Sequence, residues 1–147
     1  MIKLTPQMTE FIGRAPRDGV HCLVVTVAPD AWPQIAIKGS LRVLDEQHLC
    51  YWERSLRTSF EGLRANPRVG VYYRNAALKD ELPTGAGWRF SGLASVHQSG
   101  ELRDRVIEIM PQNEMDKDPE RKGAAIVIKV VRVADVVGNV LQEEDPA

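Results

Sequence analysis

The run QIAIKGSLRVLD, residues 34–45, alternates apolar and polar side chains over most of its length. A period of two fits a strand and does not fit a helix. Ile35, Ile37, Leu41 and Val43 fall on one side of it, expected to face the core, and Gln34, Lys38, Ser40 and Arg42 on the other. Gly39 interrupts the run, which in a strand marks a bulge or a close approach by another backbone or a ligand. Five further runs read as strands. VHCLVVTVA (20–28) is nearly continuous and β-branched, as expected for a strand buried on both faces. HLCYWER follows from residue 48, RVGVYYR from 68 and GWRFSGLASVH from 87. The last, GAAIVIKVVRVADVVG from 123, is expected to bend near Arg132. Helical spacing is found in residues 3–13, in a short stretch after Thr58, and in residues 99–110, where Ser99 is the expected cap, and the polar, Pro-punctuated 111–122 reads as a loop or short helix. Strands dominate and turns are short. The predicted fold is therefore mainly β: a six-stranded antiparallel barrel with flanking helices, closed so that no strand edge stays exposed.

The chain has 147 residues, enough for one domain spanning 1–147. With 19 Lys and Arg against 20 Asp and Glu, its net charge is -1. That balance argues against broad binding to nucleic acid or an anionic membrane, but leaves room for a local basic pocket. The longest apolar run, Cys22 to Ala28, is far too short for a membrane helix. The first residues carry no cleavable-signal pattern, so the expected location is cytoplasmic. Cys22 and Cys50 lie in strand-like runs without C-x-x-C spacing, and read as packed, reduced thiols. His21, His48 and His97 show no metal-binding spacing, so no metal site is expected.

Between the third and fourth strands lies ERSLRTSFEGLRANP. Thr58-x-x-Glu61 has the form of a capping box, and Asn66-Pro67 ends the helix. A capped linker helix accounts for Thr58, Glu61 and Pro67, but not for Arg54 and Arg57. Cations at a helix start oppose the macrodipole unless an anion lies between them and the free amides. Helix starts bind phosphate for that reason, and Arg adds charge-assisted bonds. Arg54, Arg57, Thr58 and Ser59 are therefore candidate phosphate ligands. Lys38 and Ser40 flank Gly39 on one face of the preceding strand, where the backbone could approach a flat heterocycle. A phosphate at one end and a flat ring along a strand is what flavin mononucleotide (FMN) needs.

In segment order the chain resembles the FMN-binding split-barrel family, which includes pyridoxamine 5′-phosphate oxidase. The resemblance covers about Val20 to Val137 and rests on WPQIAIKGSLRVLDEQHLCYW, RTSFEGLRANPRVGVYY, WRFSGLASVH and AIVIKVVRVADVVG. It implies a split barrel that forms a homodimer with FMN at the subunit interface. By position, Ala36, Ile37, Lys38 and Ser40 would line the ring and ribityl chain. Arg57, Thr58 and Ser59 match the phosphate-binding segment, although the family often has Lys where Ser59 stands. Trp88 and Arg89 would reach the flavin from the partner subunit. The pyridoxamine phosphate oxidases carry Trp, Arg and His residues in a C-terminal segment that holds the vitamin phosphate. The corresponding VVGNVLQEEDPA has none of them, so another small-molecule substrate is expected.

The function expected from these features is FMN-dependent oxidation or reduction of a small molecule, with the flavin carrying the hydride. The alternative is a non-catalytic flavin, haem or deazaflavin binder acting as a carrier or sensor, because fold alone does not fix function. A homodimer is expected because the WRFSGLASV strand is apolar on both sides and a lone barrel would leave it partly exposed.

Overall fold

A computed structural model describes residues 1–146, the side chain of Thr58 excepted. In chain order the elements are α1 (Pro6–Gly13), β1 (Leu23–Val27), β2 (Pro33–Ile37), β3 (Arg42–Asp45), β4 (His48–Glu53), α2 (Thr58–Ala65), β5 (Arg68–Arg74), β6 (Gly87–His97), α3 (Glu101–Ile109), α4 (Gln112–Met115), β7 (Ala124–Ala134) and β8 (Val140–Glu143). The mainly β expectation holds, with eight strands in place of six. The 34–45 run is two strands, β2 and β3, parted at Lys38–Leu41, and β8 adds a short strand beside β7.

Every pairing is antiparallel, in the order β2-β1-β5-β6-β7-β4-β3, with β8 off this path on β7. β2 and β3 are adjacent in sequence yet stand at opposite ends of that order. Residues 38–41 join them, so the sheet must curl round until its two edges meet. The result is a barrel left open along one seam. Gly92 helps it curl. A Cβ there would collide with Ile128 and the Lys129 carbonyl, and the β6–β7 register slips beside it, leaving Val131 unpaired. That bulge is the irregularity expected near Arg132.

The barrel interior is filled by Ile12, Val24, Leu41, Tyr51, Tyr73, Phe90, Ile126 and Ile128, among others. A second apolar cluster, Cys50, Trp52, Val106, Met110, Met115 and Val127, lies between the sheet and the α3–α4 segment. β4 and β7 are sandwiched between the two clusters, which is why almost every residue in them is buried. The expectation of two-sided burial fell on the wrong strand. In β1 only Val24 and Thr26 are fully buried, and Leu23, Val25 and Val27 are half-exposed.

The facing of β2 also differs from expectation. Ile35 and Ile37 are 70% and 57% exposed, while Gln34 and Ala36 are half-buried. Alternation finds two faces but does not say which one the protein covers. Two caps differ as well. α2 has Arg57, not Thr58, at its N-cap, with no side-chain cap bond, and α3 starts from Gly100 instead of Ser99. α1 is better supported: the Thr5 hydroxyl accepts from the Met8 amide, the Met8 sulfur accepts from the Thr5 amide, and Pro6 opens the helix. The free Cys22 and Cys50 are buried, as expected of packed thiols. Among the described residues no helix is long and apolar enough to cross a membrane, and no group of three or more His, Cys, Asp or Glu gathers as a metal site.

Candidate functional site: a cationic cleft at the seam

The seam opens into a cleft of about 1000 Å³. One wall is the Lys38–Arg42 link, another the 52–57 segment leading into α2, and a third comes from α4 through Asn113, Glu114 and Lys117. The link is held at both ends. The Lys38 amide donates to the Cys22 carbonyl at 3.0 Å, and the Ser40 hydroxyl accepts from the Trp52 amide at 3.0 Å while donating to its carbonyl at 3.3 Å. The amides of Gly39 and Ser40 donate to no described acceptor, and both residues line the cleft. A Cβ at 39 would lie 3.0 Å from Glu114 Oε1, a tight contact that the end of that side chain would have to ease.

Glu53 lies on the cleft wall, buried at the end of β4. Its Oε2 accepts from Lys38 Nζ at 2.9 Å and from the Ser59 hydroxyl at 3.4 Å, and its Oε1 accepts from the Ser55 amide at 3.3 Å. The Lys38 ammonium also sits 5.3 Å from the centre of the Tyr51 ring. Burial, and then the Glu53 charge, push the Tyr51 phenol well above its usual range, so it remains neutral. Arg42 donates to the Gly39 carbonyl at 2.9 Å and the Leu41 carbonyl at 2.7 Å. Burial lowers its pKa and the nearby Glu114 opposes that, but the guanidinium stays charged. Lys117 pairs with Glu114 at 3.0 Å. Arg54 and Arg57 stand exposed on the rim, their guanidiniums without an ion pair or hydrogen bond to a described residue. Burial raises the Cys22 thiol in the lining to about 12, which keeps it protonated and unreactive.

Five cationic side chains, Lys38, Arg42, Arg54, Arg57 and Lys117, thus share the cleft with two carboxylates, Glu53 and Glu114. The chain as a whole is at -1, so this local excess of positive charge is a concentrated feature and suits an anionic ligand.

Of the residues singled out in the sequence, Ile37, Lys38, Ser40, Arg54 and Arg57 meet in this cleft. The Ser40 hydroxyl is already used on β4. Ser59 adjoins the cleft through Glu53. Thr58 opens α2, and its side chain lies outside the described residues. Ala36 sits on β2 opposite Val24, outside the cleft lining. Trp88 corrects an expectation. It is buried in the barrel, stacked at 5.8 Å on Tyr73 and tilted against Phe90, and has no surface to offer a ligand or partner. Only Arg89 of that pair faces outward. Sequence reasoning missed Glu53, Arg42, Glu114 and Lys117. Glu53 carried one faint signal, a carboxylate closing an otherwise apolar strand.

The model of the family described as pyridoxamine 5′-phosphate oxidase matches residues 4–136. No curated protein matches the chain. Solved structures share the fold at low identity. HupZ from Group A Streptococcus is 20% identical, with a TM-score of 0.68 and coverage of 94% of this chain and 98% of its own. An FMN-binding protein from Syntrophomonas wolfei is 16% identical, with a TM-score of 0.62 over 88% of this chain and 86% of its own. The haem storage protein HutZ from Vibrio cholerae is 15% identical, also with a TM-score of 0.62, over 88% and 91%. A family match over most of the chain, on a barrel open along one seam, leads to one conclusion: the chain belongs to the pyridoxamine 5′-phosphate oxidase family, with its split-barrel fold.

Proposed function

We propose that the cleft binds FMN and that the protein is a flavin-dependent oxidoreductase acting on a small molecule. The observation that carries this reading is the cationic excess gathered at the seam beside two unpartnered backbone amides. The Gly39 and Ser40 amides would donate to polar edge atoms of the ring. Arg54 and Arg57, unpaired and close to the start of α2, would hold the phosphate. Bound flavin would supply the hydride chemistry, and the chain would orient it and exclude water. None of this requires a side-chain acid or base. The Lys38 ammonium would lie next to the ring as half of a neutral pair with Glu53.

The same reading includes a homodimer. The exposed Ile35 and Ile37 continue across β1 to the half-buried Val25 and Leu23, which are their register partners. Ile37 also lines the cleft, as does the exposed Leu56. A second copy seated on this face would cover the apolar patch and wall off the cleft, placing the flavin at the subunit boundary.

Absorbance of the purified protein under anaerobic conditions tests the activity. A flavin spectrum that bleaches on adding NADH or NADPH supports the oxidoreductase reading. A bound flavin reduced by neither, across a panel of other donors, favours a carrier. Haem carriage is a second reading, favoured by His21, an exposed imidazole on the cleft rim. It predicts a Soret band on adding haemin that is lost in His21→Ala.

A further inference from the structure

An anion lies at the start of α2. It is a side chain of the protein itself. The Glu53 carboxylate is buried, lies within hydrogen-bond reach of Lys38 and Ser59, and accepts from the Ser55 amide. Ser59 is the second residue of α2, so the carboxylate sits against that helix's first turn. The ammonium that would otherwise attract a ligand phosphate is thereby neutralised internally at 2.9 Å.

We propose that Glu53 is a specificity-determining residue of the cleft, one that discriminates against a doubly charged phosphate. This inference rests on the reading that flavin occupies the cleft. A phosphate monoester carries close to two negative charges at neutral pH. The Glu53 carboxylate cancels the attraction that the Lys38 ammonium would otherwise exert on it. Arg54 and Arg57 attract the same phosphate from the rim, so the cleft works as a balance. The exposed guanidiniums pull an anionic tail in, and Glu53 limits how much charge it can carry. A flavin with an uncharged tail, or with a singly charged phosphodiester, escapes most of that loss. The phosphate dianion of FMN loses most by that cancellation, so FMN is held more loosely than the cationic lining alone would hold it.

Riboflavin and FMN share the ring and ribityl chain and differ in the phosphate, so the ratio of their affinities isolates the effect. Both are titrated by fluorescence into the wild type, Glu53→Gln and Ser59→Lys. Gln keeps an acceptor for Ser55 and Lys38 while removing the charge. Lys at 59 places a cation beside Oε2 and leaves Glu53 in place. Each variant should raise the FMN-to-riboflavin affinity ratio by about tenfold or more, roughly 1.4 kcal/mol. Should Glu53→Gln fail to fold, Ser59→Lys decides alone. A ratio that is unchanged or lower overturns the proposal while leaving flavin binding intact. Absence of binding by either flavin to all three proteins overturns the flavin reading, and this inference with it.

Discussion

Lys38 shows how a partner changes what a residue can do. Alternation had turned it away from the core, with a free ammonium available to a ring. In the structure it is the half-buried partner of an ion pair whose buried carboxylate, Glu53, lies fifteen residues downstream. Taking one partner from such a pair leaves the other charge desolvated and unmatched, which costs about 3–5 kcal/mol. Lys38→Met is therefore expected to destabilise the protein by about that amount, visible as a lower urea midpoint, while Lys38→Met combined with Glu53→Met recovers most of it. Equal stability of wild type and Lys38→Met would mean that the pair is solvated. A cation already neutralised in this way would shift a flavin's reduction potential less than a free one.

The elements were largely legible in the sequence, and their failures have identifiable causes. Short β-branched runs between turn signals located every long strand, because a pleated, half-buried surface selects those residues. The break at Lys38–Leu41 stayed hidden because apolar and polar positions keep nearly alternating around the turn. The exposure of Ile35 and Ile37 was not legible either, since period two is identical whichever face is covered. For α2 the capping-box pattern matched, but the helix begins one residue early and leaves Arg57 at the N-cap without a cap bond. Arg57→Ser should then stabilise the fold by about 1 kcal/mol while weakening FMN binding, a trade expected where a functional residue occupies a structural position. Thermal melts and FMN titrations on the same samples test both halves; a variant that neither melts higher nor binds FMN more weakly contradicts the assignment.

The loop after α4 gives a pH-dependent counterpart. Asp118 accepts from the Trp52 indole at 2.8 Å and from the Lys122 and Gly123 amides at 3.0 and 2.8 Å. Burial pushes its carboxyl up, but these bonds and the nearby Arg103 outweigh it and hold it below the usual range. A depressed folded-state pKa contributes stability that is fully present above the unfolded value near 3.8 and is lost as the pH falls through the lower folded value. Chemical unfolding between pH 5 and pH 2 should therefore show a steeper loss in the wild type than in Asp118→Asn. Parallel curves would contradict that role.

At the scale of the whole molecule, the seam governs both fold and site. The sheet's two edges meet through four linking residues, and the cleft, the cationic cluster and the exposed apolar face all border that join. The family could be read from segment order, but the charge arrangement of the cleft could not, because Lys38, Glu53 and Glu114 come from separate segments. Burying Ile35 and Ile37 against a second copy would contribute about 1.5–3 kcal/mol for each residue. Ile35→Glu should convert the proposed dimer to monomer by sedimentation and lower FMN affinity together. A wild type that is monomeric at micromolar concentration contradicts the dimer.

The proposal that the seam cleft is an FMN site rests on a phosphate end held by the rim arginines. Fluorescence titration of FMN into wild type and Arg57→Ala tests it most directly. The account predicts saturable binding by the wild type at one flavin per chain, weakened by about 1.5–3 kcal/mol in the variant, as befits loss of a hydrogen bond to a charged group. Wild-type protein that leaves FMN fluorescence unchanged, or a variant that binds as tightly as the parent, would contradict it.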